Sequence, residues 1–202
     1  MTGHILTFTD MTHDIRVITI QLPKDKPYSY HAGQYAYFGI EGFEARPFSI
    51  ASAPRDDNTI DIHVRNLGKN LSHALCSKIT QGQAVTVSPA QGQLQMHDHH
   101  DGAIVFLAGG TGITPFLAMA ETTQSKMHLY WGMTSNDDFY LDLAREGMAV
   151  HHCVDHYPVD VFLENPIDNA MIYLSGPAAM IEDSKSKLLA AGFDPSNIIH
   201  DE

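Results

Sequence analysis

Six residues, Ala103 to Ala108 (Ala-Ile-Val-Phe-Leu-Ala), run straight into Gly109-Gly110-Thr111-Gly112-Ile113-Thr114-Pro115. An unbroken apolar run of strand length reads as a strand buried on both faces, which means a parallel sheet covered by helices. The glycines let the backbone turn tightly and approach a ligand closely. Pro115 suits the first turn of a helix, where its missing N–H costs nothing. A helix opening behind such a turn offers free N–H groups and a positive dipole end to an anion. No Gly-Lys-Ser follows, so this is not a P-loop, and the spacing is not Gly-x-Gly-x-x-Gly. The plainer reading is an ordinary strand-to-helix turn. Three glycines among four residues weigh against it.

The chain beyond this turn keeps alternating. Pro115 to Glu121 and Asp138 to Glu146 read as helices, and Ala178 to Ala191 as a helix stopped by Gly192. Met127 to Trp131, Met148 to Val154, Met171 to Leu174 and Ile198-Ile199 read as strands. Strands alternating with helices predict a parallel α/β sheet, and an open sheet of order 3-2-1-4-5 is expected. In that order strands 1 and 4 flank the point where the winding reverses, and ligands bind beyond their carboxyl ends. Leu174-Ser175-Gly176-Pro177 closes strand 4 as the Gly turn closes strand 1. A phosphate-bearing ligand is expected between them.

The first half has another rhythm. Ile15 to Leu22 alternates apolar and polar residues, as a half-buried strand does. Gln34 to Ile40, Pro47 to Ala51, Thr59 to Val64 and Ala84 to Ser88 are further short strands punctuated by Pro and Gly. Leu71 to Ile79 reads as a helix capped by Asn70. This pattern predicts an antiparallel barrel or sandwich. The polar stretch His97 to Gly102 divides the chain into a barrel domain, 1–98, and an α/β domain, 102–202.

Composition narrows the function. Lys plus Arg is 12 against 24 Asp plus Glu, a net charge of −12. Such a chain is a poor match for phosphate-neutralising nucleic-acid binders or anionic membrane surfaces. Cys76 and Cys153 are too few for an on-chain iron–sulfur cluster or a disulfide framework. Met1 to Asp10 shows no basic flank leading into a long apolar run, and no stretch of membrane-spanning length follows. A cytoplasmic protein without membrane insertion is expected.

A third motif, Ala45-Arg46-Pro47-Phe48-Ser49-Ile50-Ala51-Ser52, lies in the barrel half. With the Gly turn and Ser-Gly-Pro in this order, the chain resembles the ferredoxin–NADP reductase family across nearly its whole length. His31-Ala32-Gly33-Gln34-Tyr35 and Val87-Ser88-Pro89-Ala90-Gln91-Gly92 are similar to two further family turns. Arg46 to Ser49 and Tyr130-Trp131-Gly132 most resemble the bacterial NAD(P)H:flavin reductases and oxygenase reductase components.

The resemblance implies a flavin-dependent oxidoreductase, with FAD in the barrel (FMN being the alternative flavin) and NAD(P)H on the α/β domain. Arg46, Pro47, Phe48 and Ser49 would hold the flavin, Arg46 at its diphosphate and Ser49 at the hydride-accepting nitrogen. His63, Val64 and Arg65 would add strand contacts. Gly68, Lys69, Asn70, Leu71 and Ser72 would place a helix N-terminus at the pyrophosphate. Gly110, Thr111, Gly112, Thr114 and Pro115, with Gly132, would receive the nicotinamide nucleotide. Ser175, Gly176 and Pro177 would border its reactive ring, so that Ser49, Thr111 and Ser175 are the candidate catalytic residues. Ser175 stands where many relatives carry Cys. The sequence ends at Glu202 with no aromatic after Phe193, where relatives carry one more aromatic-containing segment.

The electron acceptor is expected to be separate: free flavin, a ferredoxin-like protein, a quinone or oxygen. Two alternatives are a non-catalytic FAD-containing electron-transfer subunit and a nucleotide-binding regulatory module. NADH is expected over NADPH, because the loop Met133 to Tyr140 has no base and carries Asp137 and Asp138. Lys126, at the strand start, is the base that would reach in. The histidines of 97–101 and 151–156 read as a solvated linker and a polar strand end rather than metal ligands, since adjacent strand residues face opposite sides. Met119 and Met180 read as helix core.

Overall fold

A computed structural model describes residues 1–97, 102–143 and 146–201. The chain forms two compact units: Met1–Gln95 with Thr114–Thr122, and Met96–Ile113 with Thr123–Glu202.

The first unit is a six-stranded antiparallel sheet. Its strands are β1 (Thr2–Asp10), β2 (Ile15–Gln21), β3 (Tyr35–Gly39), β4 (Arg46–Ser49), β5 (Thr59–Arg65) and β6 (Ala84–Val87), in the order β4-β3-β6-β1-β2-β5. Past the end of β4, the Ala51 N–H donates to the Asp61 carbonyl of β5 at 2.8 Å. That bond joins the two edges and rolls the sheet into the expected barrel. Ile18, Ile20, Phe38, Ile60, Ile62 and Val64 fill its interior, with helix α1 (Asn70–Ser77) contributing Leu71, Ala74 and Leu75. Helix α2 (Thr114–Glu121) belongs to this unit. It is buried nearly all round, and the Glu121 carboxylate accepts the Ala53 N–H at 3.0 Å.

The second unit is a five-stranded parallel sheet of β7 (Ile104–Gly109), β8 (Met127–Met133), β9 (Met148–Val154), β10 (Met171–Ser175) and β11 (Ile198–His200). Its order, β11-β10-β7-β8-β9, is the expected 3-2-1-4-5 winding. Every residue of β7 is buried. Helices α3 (Pro158–Glu164) and α4 (Ala178–Ala190) cover one face, with Val159, Phe162 and Leu188 packed on Val105, Leu107, Ile172 and Leu174.

Three local expectations need correction. The helix expected over Asp138–Glu146 is replaced by a 3-10 turn, Asn136–Asp138, and an irregular stretch through 143; residues 144–145 lie outside the described residues. Phe139 and Tyr140 both set their rings edge-on against Trp131, at 5.0 and 5.3 Å. Two consecutive side chains on one indole do not fit helical spacing. Asn70 is not the cap of α1. Lys69 holds that position, and Asn70 is the first helical residue, at φ 55°. Two elements escaped the sequence reading, β1 and α3. Lys126 cannot serve the loop after β8, because it precedes a seven-residue strand whose far end is about 20 Å away.

Candidate nucleotide and flavin sites

In the first unit, antiparallel pairing decides which side chains share a face. Tyr35 pairs with Ser49 and Tyr37 with Pro47, while Ala36 pairs with Phe48 and Phe38 with Arg46. Arg46 and Phe48 therefore lie on the core-side face, where the Phe48 ring meets Phe38 edge-on at 6.1 Å. Ser49 and Pro47 lie on the other face, with two tyrosines. Arg46 is half exposed and donates to Glu44 at 2.7 Å; Glu44 is itself exposed. A pair this exposed holds its guanidinium weakly, so Arg46 can accept a diphosphate partner. Phe48 and Ser49 are half-buried.

The stretch before α1 is wound tightly. Gly68 has φ 72° with open space where a side chain would stand. The Asn66 side chain takes the Gly68 N–H at 2.9 Å, and the Ser72 hydroxyl takes the Leu67 N–H at 3.3 Å. The first helical N–H groups, from Asn70 to Ser72, have no intrahelical acceptor by the geometry of any helix start. This cradle fits an anionic group. Val64 and Leu71 are core residues, so only their backbone can meet a ligand. Arg65 is paired with Asp14 at 3.3 Å.

His63 is 8% exposed. Burial pushes its imidazole down to about 4, only partly countered by Asp61. Above the ordinary value near 6.5 the ring is neutral in both folded and unfolded chains. Below it the unfolded chain takes a proton that the folded chain refuses. Stability is therefore lost as pH falls from about 6.5 toward 4, by up to about 3 kcal/mol. Urea unfolding at pH 8, 6 and 5 should show this slope, and His63→Leu should flatten it. An unchanged slope in the variant would refute the assignment.

The second unit brings its two Gly turns into direct contact. A Cβ on Gly112 would lie 2.3 Å from the Ser175 carbonyl oxygen and 2.7 Å from the Gly176 Cα. One on Gly109 would meet Met180 Sδ at 2.6 Å and Pro177 Cδ at 2.9 Å. Gly176 is held at φ 152°, with Gly109 N 3.0 Å from where its Cβ would stand. Gly110 has φ 58° and opens a 3-10 turn through Ile113 that contains half-buried Thr111. Strand β10 pairs with β7 up to Ser175 and Ala108, which sets both turns at one edge of the sheet. Gly132 pairs with Gly109, and a Cβ there would stand 3.0 Å from Pro158. These close backbone approaches pack the two Gly turns against each other and against the start of α4. The residues fit a pyrophosphate bound by main chain and helix dipole.

Trp131 is a site residue that sequence reasoning missed. Its indole N–H donates to the Gly110 carbonyl at 2.9 Å and ties the turn to β8. The signal was present: the chain's one Trp stands at a strand end, just before a glycine. Thr114 and Pro115 are buried in α2 of the first unit rather than displayed. Met119 and Met180 are core residues, as expected. His151 stacks on Tyr130 at 4.2 Å and His152 on Phe139 at 4.0 Å, so neighbouring imidazoles face opposite sides. Among the described residues, no group of three His, Cys, Asp or Glu could hold a metal ion. Nor, among them, is any helix long and apolar enough to cross a membrane.

An FAD-binding domain profile matches residues 5–131, and an oxidoreductase NAD-binding domain profile matches residues 106–161. A CDP-6-deoxy-L-threo-D-glycero-4-hexulose-3-dehydrase reductase from Yersinia pestis is 34% identical over 152 residues, 72% of this chain and 46% of that protein. The chain thus matches less than half of that relative's length. The naphthalene 1,2-dioxygenase system ferredoxin–NAD(P)(+) reductase component of Pseudomonas putida is 26% identical over 224 residues, covering 98% of this chain and 67% of that one. A ferredoxin NADP+ reductase from Neisseria gonorrhoeae, solved with FAD and NADP, superposes with a TM-score of 0.86 at 19% identity. That match covers 99% of this chain and 97% of the other, and it shows a shared fold.

Proposed function

The chain belongs to the ferredoxin reductase-like oxidoreductases that carry an FAD-binding domain and an oxidoreductase NAD-binding domain, and on that footing we propose that it catalyses FAD-dependent transfer of electrons from NADH to a separate acceptor. In this reading 1–98 serves as the flavin domain and 102–202 as the nucleotide domain. FAD, when bound, supplies a carrier that accepts two electrons as a hydride and releases them to an acceptor. The work of the chain is to bind, orient and exclude water.

Arg46 neutralises the flavin diphosphate, and the first turn of α1, from Lys69 to Ser72, offers it main-chain donors. The Ser49 hydroxyl would donate to a flavin ring nitrogen, while Phe48, packed on Phe38 at the opposite face of β4, would support that strand from the core side. Gly110, Thr111 and Gly112 receive the nucleotide pyrophosphate on main-chain N–H groups. Ser175 borders the nicotinamide; its hydroxyl can hydrogen-bond where a thiol stands in many relatives. The observation that carries this reading is the backbone contact between Gly112 and Ser175, two turns that meet where the winding of the sheet reverses. Purified protein supplied with FAD should reduce an artificial dye at the expense of NADH. Absence of that activity, with flavin bound, would contradict the proposal.

NADH is the preferred nucleotide in this reading. In the loop after β8 the Asp138 carboxylate is turned inward, accepting the Ser135 N–H at 3.0 Å in a capping box. Asp137 is exposed beside it, and there is no base between Met133 and Tyr140 to meet a 2′-phosphate. We expect kcat/KM to favour NADH by about 10-fold, or about 1.4 kcal/mol. Equal values, or a preference for NADPH, would contradict this account of the loop.

A further inference from the structure

The net charge of −12 is not spread evenly along the chain. Up to Gln95, eight Lys and Arg balance eight Asp and Glu; from Met96 onward, four face sixteen. The three of those bases that are described stand away from the sheet edge where the two Gly turns meet. Lys126 precedes β8 at its amino end. Lys185 and Lys187 stand late in α4, which starts at the carboxyl edge and runs back, and both are paired: Lys185 with Glu182, Lys187 with Asp160 at 2.6 Å and Asp183 at 2.8 Å. Arg145 lies outside the described residues. At the carboxyl edge itself, Asp137 and Asp138 follow β8, Asp155 follows β9 and Asp201 follows β11. Among the described residues, the charged side chains after these strands are all acidic.

We infer that the nucleotide site works against the electrostatic field of its own unit, so that its affinity for NADH rises with ionic strength and its discrimination against NADPH relaxes with salt. This rests on the reading of the carboxyl edge as the nucleotide site. The attraction there comes from main-chain N–H groups and helix ends. It falls off within the first turn, so it acts at contact distance, where added salt screens it far less than it screens charges spread over the unit. The repulsion comes from carboxylates spread over the unit and is long-ranged. It is strong at 20 mM salt, where screening reaches about 20 Å, and weak at 300 mM, where it reaches about 6 Å. NADH brings about two negative charges and NADPH about four. The second nucleotide therefore feels roughly twice the penalty, and regains more when salt removes it. A site built on lysines or arginines has the opposite salt slope.

The test is an equilibrium titration of the full chain, loaded with FAD and kept reduced under argon so that nucleotide binds without turnover. Binding is followed by NADH and NADPH fluorescence at pH 8, where an ordinary imidazole is neutral. From 20 to 300 mM KCl the Kd for NADH should fall about 3-fold and that for NADPH about 10-fold. The double variant Asp137→Asn, Asp155→Asn should tighten NADPH binding at 20 mM KCl and flatten both slopes. Asn tolerates the positive φ of 58° at position 155. A Kd that rises with KCl, or one unmoved by salt, would overturn this inference and leave the nucleotide site in place. Absence of binding at every salt concentration would overturn both.

Discussion

Replacing Gly112 by alanine is expected to abolish measurable NADH binding and to destabilise the second unit by about 3 kcal/mol, the upper range for forcing a methyl into a packed site. The new Cβ would sit 2.3 Å from the Ser175 oxygen and 2.6 Å from its carbonyl carbon. Both are main-chain atoms and cannot rotate away. The ends of β7 and β10 would have to part, and the cradle between the two turns would open with them. A loss of at least 100-fold in NADH affinity, about 2.7 kcal/mol, is the expected reading. Gly82→Ala is the control. That glycine has φ 82° and open space around its Cβ position, so its cost should stay near 1 kcal/mol with NADH binding unchanged. Wild-type NADH affinity in Gly112→Ala would mean that nucleotide binds elsewhere.

The second large effect is expected at Arg46. Arg46→Ala should weaken FAD binding by about 1.5–3 kcal/mol, the scale of a hydrogen bond to a charged group. Stability of the flavin-free chain should barely move, because the ion pair lost among the described residues is the exposed one with Glu44. Arg46→Lys should restore part of the affinity but not all, since an ammonium cannot make the two-pronged contact of a guanidinium. Unchanged FAD affinity in the alanine variant would remove Arg46 from the site.

These two residues also mark what a sequence can disclose. Gly112 was legible because a buried parallel strand needs an unbroken apolar run, and a turn needing close backbone approach needs glycine. The parallel α/β class followed from the alternation of strands and helices. Strand β1 was not legible. Only Gly3 and Ile5 of its nine residues are buried, and its place is fixed by pairing with β2 and β6 rather than by its own pattern. Helix α3 is two turns long, and its one local signal was Pro158 at the first helical position, with Asp160 behind it. The stretch after Asp138 has helix-forming composition, yet packing Phe139 and Tyr140 on Trp131 overrides it. Asn70 has the side chain of a cap but lies one residue too late, in the left-handed region. At the site itself, residue types were readable and display was not. Val64, Leu71, Thr114 and Pro115 match family motifs, and their side chains are buried.

The central claim is that this chain binds flavin and reduces it with NADH. The direct measurement is the visible absorbance of purified protein, supplied with FAD, freed of excess by gel filtration, and then mixed with NADH under argon. The account predicts a yellow protein whose flavin absorbance bleaches on addition of NADH. A colourless protein that takes up neither FAD nor FMN would contradict it, as would a bound flavin that stays oxidised.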